Sequence, residues 1–199
     1  MTSVDWESWL AQWNRELLER LDLTQYNAFV EPDITPDVIA AGWLGYPGAT
    51  EAQIAHLEAR LGLPLPPSYR AFLAVSNGFR QPGMIVPRLL TIAEVEWFRV
   101  RNQDTIDTWV TGLERSLREA PHILEGEPDP FERYLATALE ISACETVGTA
   151  IYLLNPKIIA ADGEWEALYF AHWIPGAERY PSLWALMQAE REAFLANSR

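Results

Sequence analysis

The sequence has little cysteine and no long apolar run. Cys144 is the single cysteine in 199 residues, so the chain can form neither an internal disulfide nor a cluster of thiolate metal ligands. A reducing compartment is the simplest expectation, and we predict a cytoplasmic protein. No apolar run reaches the ~20 residues of a membrane helix. Asp5 and Glu7 precede any apolar run, which excludes an ordinary secretory signal.

Basic residues are scarce relative to acidic ones. The chain has 15 Lys and Arg against 28 Asp and Glu, which gives a formal net charge of −13. Such a charge disfavours long-range attraction to nucleic-acid phosphates or to anionic membranes. We therefore expect no nucleic-acid partner and no membrane partner, and we expect any protein partner to be basic. An acidic surface that serves only solubility is the alternative.

Familiar catalytic and metal-binding motifs are also missing. The histidines His56, His122 and His172 lack the short spacing that sets two imidazoles on one metal ion. Cys144 has no histidine near it in the sequence, which favours an inert buried thiol over a nucleophile. No GxSxG, HExxH or phosphate-cradling glycine loop occurs. We predict a protein that is not an enzyme and that has no catalytic residue, metal or cofactor.

The stretch from Thr50 to Phe79 carries strong local signals. Thr50 and Gln53 have the spacing of a capping box, which predicts a helix that begins at Glu51. The apolar residues of this helix repeat at helical spacing: Ile54, Leu57 and Leu61. Gly62 can adopt the left-handed conformation that ends a helix.

A second helix follows within the same stretch. Pro64 prevents continuation of the first helix, while Pro66 and Pro67 place a fixed φ at the start of the second. Three residues share the apolar face of this second helix: Tyr69, Phe72 and Leu73. The turn residues Asn77 and Gly78 then end it. The stretch therefore predicts a compact helical pair.

The ordered positions of this helical pair resemble the N-terminal signature of the SMI1/KNR4 superfamily, also called SUKH. They are Ile54, Glu58, Leu65, Pro66, Tyr69, Arg70, Phe72, Leu73, Asn77 and Gly78. The resemblance covers about a sixth of the chain. It implies an α+β fold with a mainly antiparallel sheet packed against helices. It also implies function, because members are mostly bacterial immunity proteins that neutralise toxins, while fungal members are signalling scaffolds.

The resemblance sets the expected domain boundaries. The SMI1/KNR4-like domain spans residues 50–199, and residues 1–49 form an N-terminal helix and a connecting segment packed on the same structural domain. In the N-terminal helix an apolar stripe repeats at helical spacing: Trp6, Trp9, Leu10, Trp13, Leu17 and Leu21. Such a stripe is more typical of a core face than of a partner groove. Residues 24–49 are rich in proline and glycine and predict at most a short helix near 37–41.

Further elements are predicted in the middle of the chain. The apolar run 84–90 predicts a strand, and Thr91 with Glu94 repeats the capping-box spacing that predicts another helix. A further helix is predicted by an apolar stripe that ends before Pro121: Ile106, Trp109, Val110, Leu113 and Leu117. Asp104 and Thr105 are its candidate capping residues.

The C-terminal part reads as strands at 139–144, 150–154, 157–161 and 164–173. Gly148, Asn155-Pro156 and Asp162-Gly163 separate them, and the last of these predicts a hairpin between antiparallel neighbours. Both faces of 164–173 carry aromatic residues, so we expect helices over one face and partial cover of the other. Ser182 opens a closing helix.

Glu58 projects onto the apolar face of its helix, so its carboxylate needs partners. A catalytic acid is one interpretation, but no second carboxylate or histidine lies at a suitable spacing. We expect that Glu58 accepts backbone amides at the start of the next helix or pairs with Arg70. An enzyme with an unfamiliar cleft around Glu58, His172 or Tyr169 is the alternative.

Acidic residues are the best candidates for contact with a basic partner. They form a loop group and a hairpin group: Glu125, Glu127, Asp129 and Glu132, with Asp162, Glu164 and Glu166. A solvated loop and strand edge is the alternative. Because charge governs the association rate more than the affinity, aromatic anchors are also needed, and Trp97, Trp165 and Trp173 qualify if they are exposed.

The leading hypothesis is a protein-binding module, an immunity protein that neutralises a cognate toxin by direct binding. The toxin domain is expected to be basic and nuclease-like, since an acidic inhibitor both steers toward such a domain and occludes its substrate channel. A regulatory scaffold of the SMI1/KNR4 type, binding signalling or cell-envelope partners, is the alternative. We expect a monomer or a weak dimer.

Overall fold

The computed structural model describes residues 4–20, 34–83, 85–120, 122, 129–143, 150–171, 173–174 and 176–197. Within these residues the helices are α1 (Trp6–Arg20), α2 (Pro36–Ala41), α3 (Glu51–Leu61), α4 (Pro67–Val75), α5 (Phe98–Arg101), α6 (Gln103–Glu119) and α7 (Leu183–Asn197). The strands are β1 (Phe79–Arg80), β2 (Arg88–Leu89), β3 (Glu96–Trp97), β4 (Leu139–Glu140), β5 (Ile151–Ile159), β6 (Trp165–Phe170) and β7 (Ala177–Tyr180). Two short 3₁₀ turns lie at Phe131–Arg133 and Leu135–Thr137.

A five-stranded antiparallel sheet forms the centre of the molecule. Its spatial order, β3-β4-β5-β6-β7, is also the order along the chain, so each strand pairs with its neighbour in sequence. β1 and β2 form a separate antiparallel ribbon. Helices α5 and α6 and the two 3₁₀ turns lie between β3 and β4 in the chain. The α+β fold class predicted from the sequence is confirmed.

Helices cover both faces of this sheet, and the alternation of β6 explains why. Trp165 and Ala167 point into the larger core with α1, α3, α4 and α7. Leu168 and Phe170 point the other way, into a second core with Phe98, Ile106 and the 3₁₀ turns. Each fully buried large side chain contributes about 1.5–3 kcal/mol. The second face is therefore more completely covered than the sequence led us to expect.

The helical pair α3–α4 forms as predicted. Thr50 caps α3 and exchanges both capping-box hydrogen bonds with Gln53. Gly62 ends α3 with φ 79°. Gly78 follows α4 with φ 96°, and a Cβ there would lie 2.8 Å from the Leu89 carbonyl oxygen. Only glycine satisfies both the positive φ and the close approach.

Helix α1 contributes its apolar stripe to the larger core, as predicted. Trp6 and Trp13 are buried, and the Trp6 indole donates to the Ser68 carbonyl at 2.8 Å. The buried Asn14 holds the connecting segment by donating to the Gly42 carbonyl and accepting from the Leu44 amide, both at 2.7 Å. Helix α2 is the predicted short helix. Leu21 lies outside the described residues.

The predicted helix after Thr91 is wrong. Glu94 does accept from the Thr91 amide and hydroxyl at 3.0 and 2.7 Å, but the chain makes one turn and then extends into β3. Extension buries Val95 completely and pairs Trp97 with Leu139. Tertiary burial therefore outweighs the local capping signal.

The limits of two neighbouring elements also differ from prediction. Of the apolar run 84–90, only Arg88–Leu89 forms a strand, and Met84 lies outside the described residues. Helix α6 begins at Gln103 after Asn102. Asp104 and Thr105 therefore lie in its first turn rather than capping it, although a carboxylate there still interacts favourably with the helix dipole.

The predicted break at Asn155-Pro156 is wrong, because β5 runs through it. The register of β5 against β6 shifts between Asn155 and Ile159, and the Asn155 side chain accepts from the Lys157 amide at 3.0 Å. Proline is tolerated at such a bulge. The hairpin at Asp162-Gly163 is confirmed by the β5–β6 pairing.

Two further strand limits differ from prediction, and one strand was not predicted. β4 is shorter than the predicted 139–144, β6 ends at Phe170 rather than at 173, and β7 was not predicted. Cys144 and His172 lie outside the described residues. Helix α7 forms as predicted, with Ser182 accepting from the Ala185 amide at 3.2 Å.

Candidate protein-binding surface

The acidic residues proposed for partner contact occupy two separate places. Glu125 and Glu127 lie outside the described residues. Asp129 is exposed and accepts from the Arg133 guanidinium and the Tyr134 hydroxyl, each at 2.6 Å. Glu132 lies three residues further on, where burial raises the pKa of its carboxyl group.

Glu164 and Glu166 bracket the buried Trp165 and make internal hydrogen bonds. Glu164 accepts from the Ser68 amide at 2.8 Å and from the Ser68 hydroxyl at 2.6 Å, at the start of α4. Glu166 accepts from Asn155 at 2.9 Å and from Arg179 at 2.7 Å. Both carboxylates therefore hold parts of the fold together, whatever else they contact.

Arg179 of β7 joins the loop group to the hairpin group. Its Nε donates to Glu166 at 2.7 Å, and its Nη1 donates to the Asp129 carbonyl oxygen at 2.7 Å. The structure thus brings Asp129 and Glu166 together at the β7 edge of the sheet. Glu164 is not part of this group, since its carboxylate bonds to Ser68 at the start of α4.

The three candidate tryptophans differ in exposure. Trp165 is only 3% exposed and belongs to the larger core, so it does not meet the condition of exposure. Trp97 is half-buried, and the Arg99 guanidinium lies 6.0 Å from its ring centroid. Trp173, which follows β6, is 47% exposed. Trp173 is therefore the most exposed of the three.

Strand β7 forms an open edge of the sheet. It pairs with β6 along one side, and the described residues contain no strand on its other side. A hollow of about 280 Å³ opens at the C-terminal end of β7, lined in part by Ile158, Ile159, Tyr180 and Pro181. Ile159 is 57% exposed. We refer to β7 with this hollow and Asp129 as the β7 surface.

Sequence reasoning missed most of the β7 surface. Its short strand, Ala-Glu-Arg-Tyr, has no apolar alternation that would predict a strand. Ile158 and Ile159 lie in the predicted strand 157–161, but nothing in the sequence placed them beside an open edge. Single exposed apolar residues are common on protein surfaces, so Ile159 alone did not predict a contact surface.

Comparison with known protein families shows the family to which the chain is related. The SMI1 / KNR4 family (SUKH-1) matches residues 48–183 of the chain, which is more than half of the chain's length. The chain belongs to the SMI1/KNR4 family. This family is known for immunity-protein roles and for binding cognate toxins, and it is generally non-catalytic. None of the curated proteins matches the chain.

The SMI1/KNR4 signature residues have structural contacts. Glu58 accepts from the Leu65 amide at 2.9 Å and lies 3.4 Å from Arg70 Nε, so it fastens the end of α3 to the segment entering α4. Tyr69 is buried, and burial raises the pKa of its hydroxyl group. Asn77 accepts from the Ile92 amide at 2.8 Å. Pro66 occupies the N-cap position of α4.

A polar cleft of about 570 Å³ lies at the opposite edge of the SMI1/KNR4 domain, beside β3 and α5. Three arginine–glutamate pairs line it, with nitrogen–oxygen distances of 2.9, 2.9 and 3.0 Å: Arg60–Glu96, Arg88–Glu94 and Arg101–Glu140. The Glu140 side chain is only 5% exposed, and burial raises the pKa of its carboxyl group against the opposing effect of Arg101. Because each guanidinium is matched by a carboxylate, the cleft carries little net charge.

A second enclosed carboxyl group lies under α7. Tyr152 donates to Glu190 with the two oxygens 2.5 Å apart. Burial raises the pKa of Glu190 to about 7, and the nearby Glu178 adds to the rise. The backbone of Gly83 packs against both groups.

Neither a metal site nor a membrane span is found in the part of the chain that the structure describes. No three His, Cys, Asp or Glu side chains there come together as ligands for a metal ion. None of the described helices has the length and apolar character to cross a bilayer.

Proposed function

We propose that the protein is an immunity protein that binds one cognate toxin domain stoichiometrically and blocks it without catalysis. The observation that carries this proposal is the SMI1/KNR4 (SUKH-1) match over residues 48–183. The signature residue Glu58 and two of the acidic candidates, Glu164 and Glu166, hold parts of the fold together, which favours a structural role over a catalytic one for these carboxylates.

The distribution of charge supports a basic partner. Many of the arginines are paired with carboxylates of the protein itself: Arg60, Arg70, Arg88, Arg101, Arg133, Arg179 and Arg191. Because these arginines are neutralised within the protein, the net charge of −13 comes from the carboxylates in excess of the basic residues. Such a surface attracts a basic domain over long range and repels nucleic acid. A toxin with a basic, nuclease-like active site fits both properties.

Co-expression with the toxin encoded beside this protein tests the proposal. We expect growth to be restored and a complex of fixed stoichiometry to be isolated. The purified toxin should regain activity when the complex dissociates, because inhibition is by occlusion rather than by chemical change. The charge reversal Asp129→Lys should weaken the complex, whereas Asp37→Lys, on the exposed helix α2, should not. Binding of several unrelated proteins with similar weak affinity would contradict the proposal.

A further inference from the structure

Strand β7 lies at one end of the five-stranded sheet. In an antiparallel ladder, neighbouring residues direct their N–H and C=O groups alternately toward the paired strand and away from it. β7 pairs with β6 from Ala177 to Tyr180. Its outward groups therefore meet no strand among the described residues. The other end of the sheet is different, because β3 has two residues and continues directly into α5.

The ends of the strands form a step beside β7. β6 begins at Trp165, which pairs with Ile159 of β5, but β7 covers β6 only from Ala167 onward. The hollow of about 280 Å³ lies at this step. Its volume lies just below the range of about 300–1,000 Å³ that is usual for small-molecule sites, and it has room for an apolar side chain of a partner protein. Ile159, 57% exposed at its rim, supplies an apolar wall.

The charges around the step favour a basic occupant. Glu178 is exposed, whereas Asp129 is paired with Arg133 at 2.6 Å and Glu166 is paired with Arg179 at 2.7 Å, so the surplus negative charge of this edge lies at Glu178. Cross-strand pairs of opposite charge are favourable, and like charges directly opposite each other are unfavourable. A strand that places Lys or Arg opposite Glu178 therefore fits this edge.

The same charges disfavour a second copy of the chain. Two-fold antiparallel pairing of β7 with itself places a residue opposite its own copy at the axis. With the axis at Glu178 two carboxylates are opposed, and with the axis at Arg179 two guanidinium groups are opposed. With the axis at Ala177 or Tyr180, the end residues of β7, the two copies of the strand overlap by a single residue pair. Two chains of net charge −13 also repel each other at long range.

We propose that β7 accepts an extended, basic segment of a partner protein as a sixth strand of the sheet, with an apolar side chain of that segment in the hollow beside Ile159. Main-chain hydrogen bonds to an edge strand supply affinity in this mode, and side-chain pockets supply specificity. The inference rests on the proposed function in that the partner is taken to be the toxin domain.

Hydrogen exchange of the full-length protein, with and without the toxin domain encoded beside it, tests the inference. We expect amide exchange at 177–180 to slow at least about tenfold in the complex, because the outward N–H groups gain acceptors. Ile159→Asp should weaken the complex at least about tenfold. Val100→Asp is the matched control, since Val100 is 60% exposed on α5 at the opposite edge of the sheet, and it should leave affinity unchanged.

Proline substitutions identify the backbone contribution. Of two adjacent residues in β7, one directs its N–H toward β6 and the other directs it outward. Glu178→Pro and Arg179→Pro should therefore differ. Each is compared with the alanine variant of the same residue, because Arg179→Pro also removes the guanidinium group that bonds to Glu166 and Asp129. Relative to alanine, the proline that loses a bond to β6 should lower the unfolding temperature, and the other proline should keep the fold but lose toxin binding. Equal toxin affinity in the well-folded proline variant would overturn the inference.

Three other outcomes of these experiments separate this inference from the proposed function. A toxin complex in which 177–180 exchange as in the free protein retains the proposed function and overturns this inference. Slow exchange at 177–180 that depends on the concentration of the protein alone identifies a second copy as the occupant, and also overturns it. If no encoded toxin binds, the proposed function fails. The probe is then an eight-residue alternating Lys-Val peptide with a Glu-Val peptide as control, and absence of Lys-Val-specific protection at 177–180 overturns the inference.

Discussion

Tyr152 of β5 and Glu190 of α7 form a hydrogen bond with their oxygens 2.5 Å apart. The bond joins the central sheet to the C-terminal helix beneath the segment that contains Gly83. Although Glu190 as a residue is half-buried, its carboxyl group is enclosed, and burial raises its pKa to about 7. Tyr169, Tyr180 and Glu178 also face this cluster. The interface between sheet and helix therefore contains a group that titrates near neutral pH.

This arrangement makes the free energy of unfolding depend on pH. The ordinary pKa of Glu190, 4.5, is that of the unfolded chain, and the folded value is about 7, so the folded protein binds the proton more tightly. Stability from this group is therefore fully present below pH 4.5 and is lost as pH rises toward 7. The loss has an upper bound of about 3 kcal/mol, at 1.36 kcal/mol for each pKa unit.

Glu190→Gln should remove this dependence. The glutamine side-chain oxygen still accepts from Tyr152, but no charge is buried above pH 7. We expect the variant to be more stable than the parent at pH 8, by about 1–3 kcal/mol, and to differ little at pH 5. Urea unfolding at both values measures this. Glu192→Gln, an exposed change on the same helix, should show no such pH dependence, and an equal gain in both variants would contradict the explanation.

Glycine substitutions distinguish close packing from open space. A Cβ at Gly83 would overlap the Glu190 carboxylate and lie 2.8 Å from the Tyr152 hydroxyl, so Gly83→Ala should destabilise the protein by about 1–3 kcal/mol. In α6, a Cβ at Gly112 meets nothing within 4 Å. Gly112→Ala should stabilise by up to about 1 kcal/mol, because alanine favours helix more than glycine.

Thermal unfolding of the two variants measures both effects. In a Glu190→Ala background the cost of Gly83→Ala should fall, because the overlapping group is gone. If Gly83→Ala costs the same free energy of unfolding in both backgrounds, the added methyl group clashes with a group other than the Glu190 carboxylate.

Local chemistry accounts for the elements that the sequence predicted well. The capping box of Thr50 and Gln53, the left-handed Gly62 and the proline at the start of α4 all act within one or two turns of chain. The same is true of the apolar stripes of α1 and α7. Such signals can be recognised in the sequence without the tertiary structure. They were sufficient to predict the helical pair and to identify the family resemblance.

Long-range contacts account for the failures. The capping signal at Thr91 is present, but burial of Val95 extends the chain instead. Asn155-Pro156 looks like a turn, yet Asn155 is buried and bonded to Glu166 of the next strand. Glu164 looked like a surface carboxylate, although its partner Ser68 lies 96 residues away. Of the candidate surface, only the acidic residues could be predicted from the sequence, because the open edge at β7 arises from the tertiary structure.

Removing Arg101 should show how much free energy the burial of the Glu140 carboxylate costs. Their side chains pair at 3.0 Å with Glu140 almost wholly enclosed, and burial already raises the pKa of that carboxyl group. Without Arg101 the folded-state pKa rises further, so Arg101→Met should destabilise more at pH 8 than at pH 5. Because Arg101 is itself 43% exposed, we expect about 1–3 kcal/mol at pH 8. Urea unfolding at both pH values measures this loss.

The double variant Arg101→Met with Glu140→Gln is the control for this prediction. It should regain part of the loss and show no added pH dependence, since no buried charge remains. A loss that is the same at both pH values in the single variant would indicate that Arg101 acts through packing rather than through charge.

Glu164 tests whether an acidic residue near the hairpin acts in the fold or at the surface. It accepts two hydrogen bonds from Ser68 at the start of α4, where Pro66 offers no side-chain cap. Glu164→Ala should therefore cost about 0.5–2 kcal/mol, like the loss of an N-cap. Ser68→Ala removes only the hydroxyl bond, so its cost and that of Glu164→Ala should be less than additive in the double variant. Full additivity in thermal unfolding would mean that the pair does not interact, and an unchanged stability in Glu164→Ala would return this carboxylate to the candidates for partner contact.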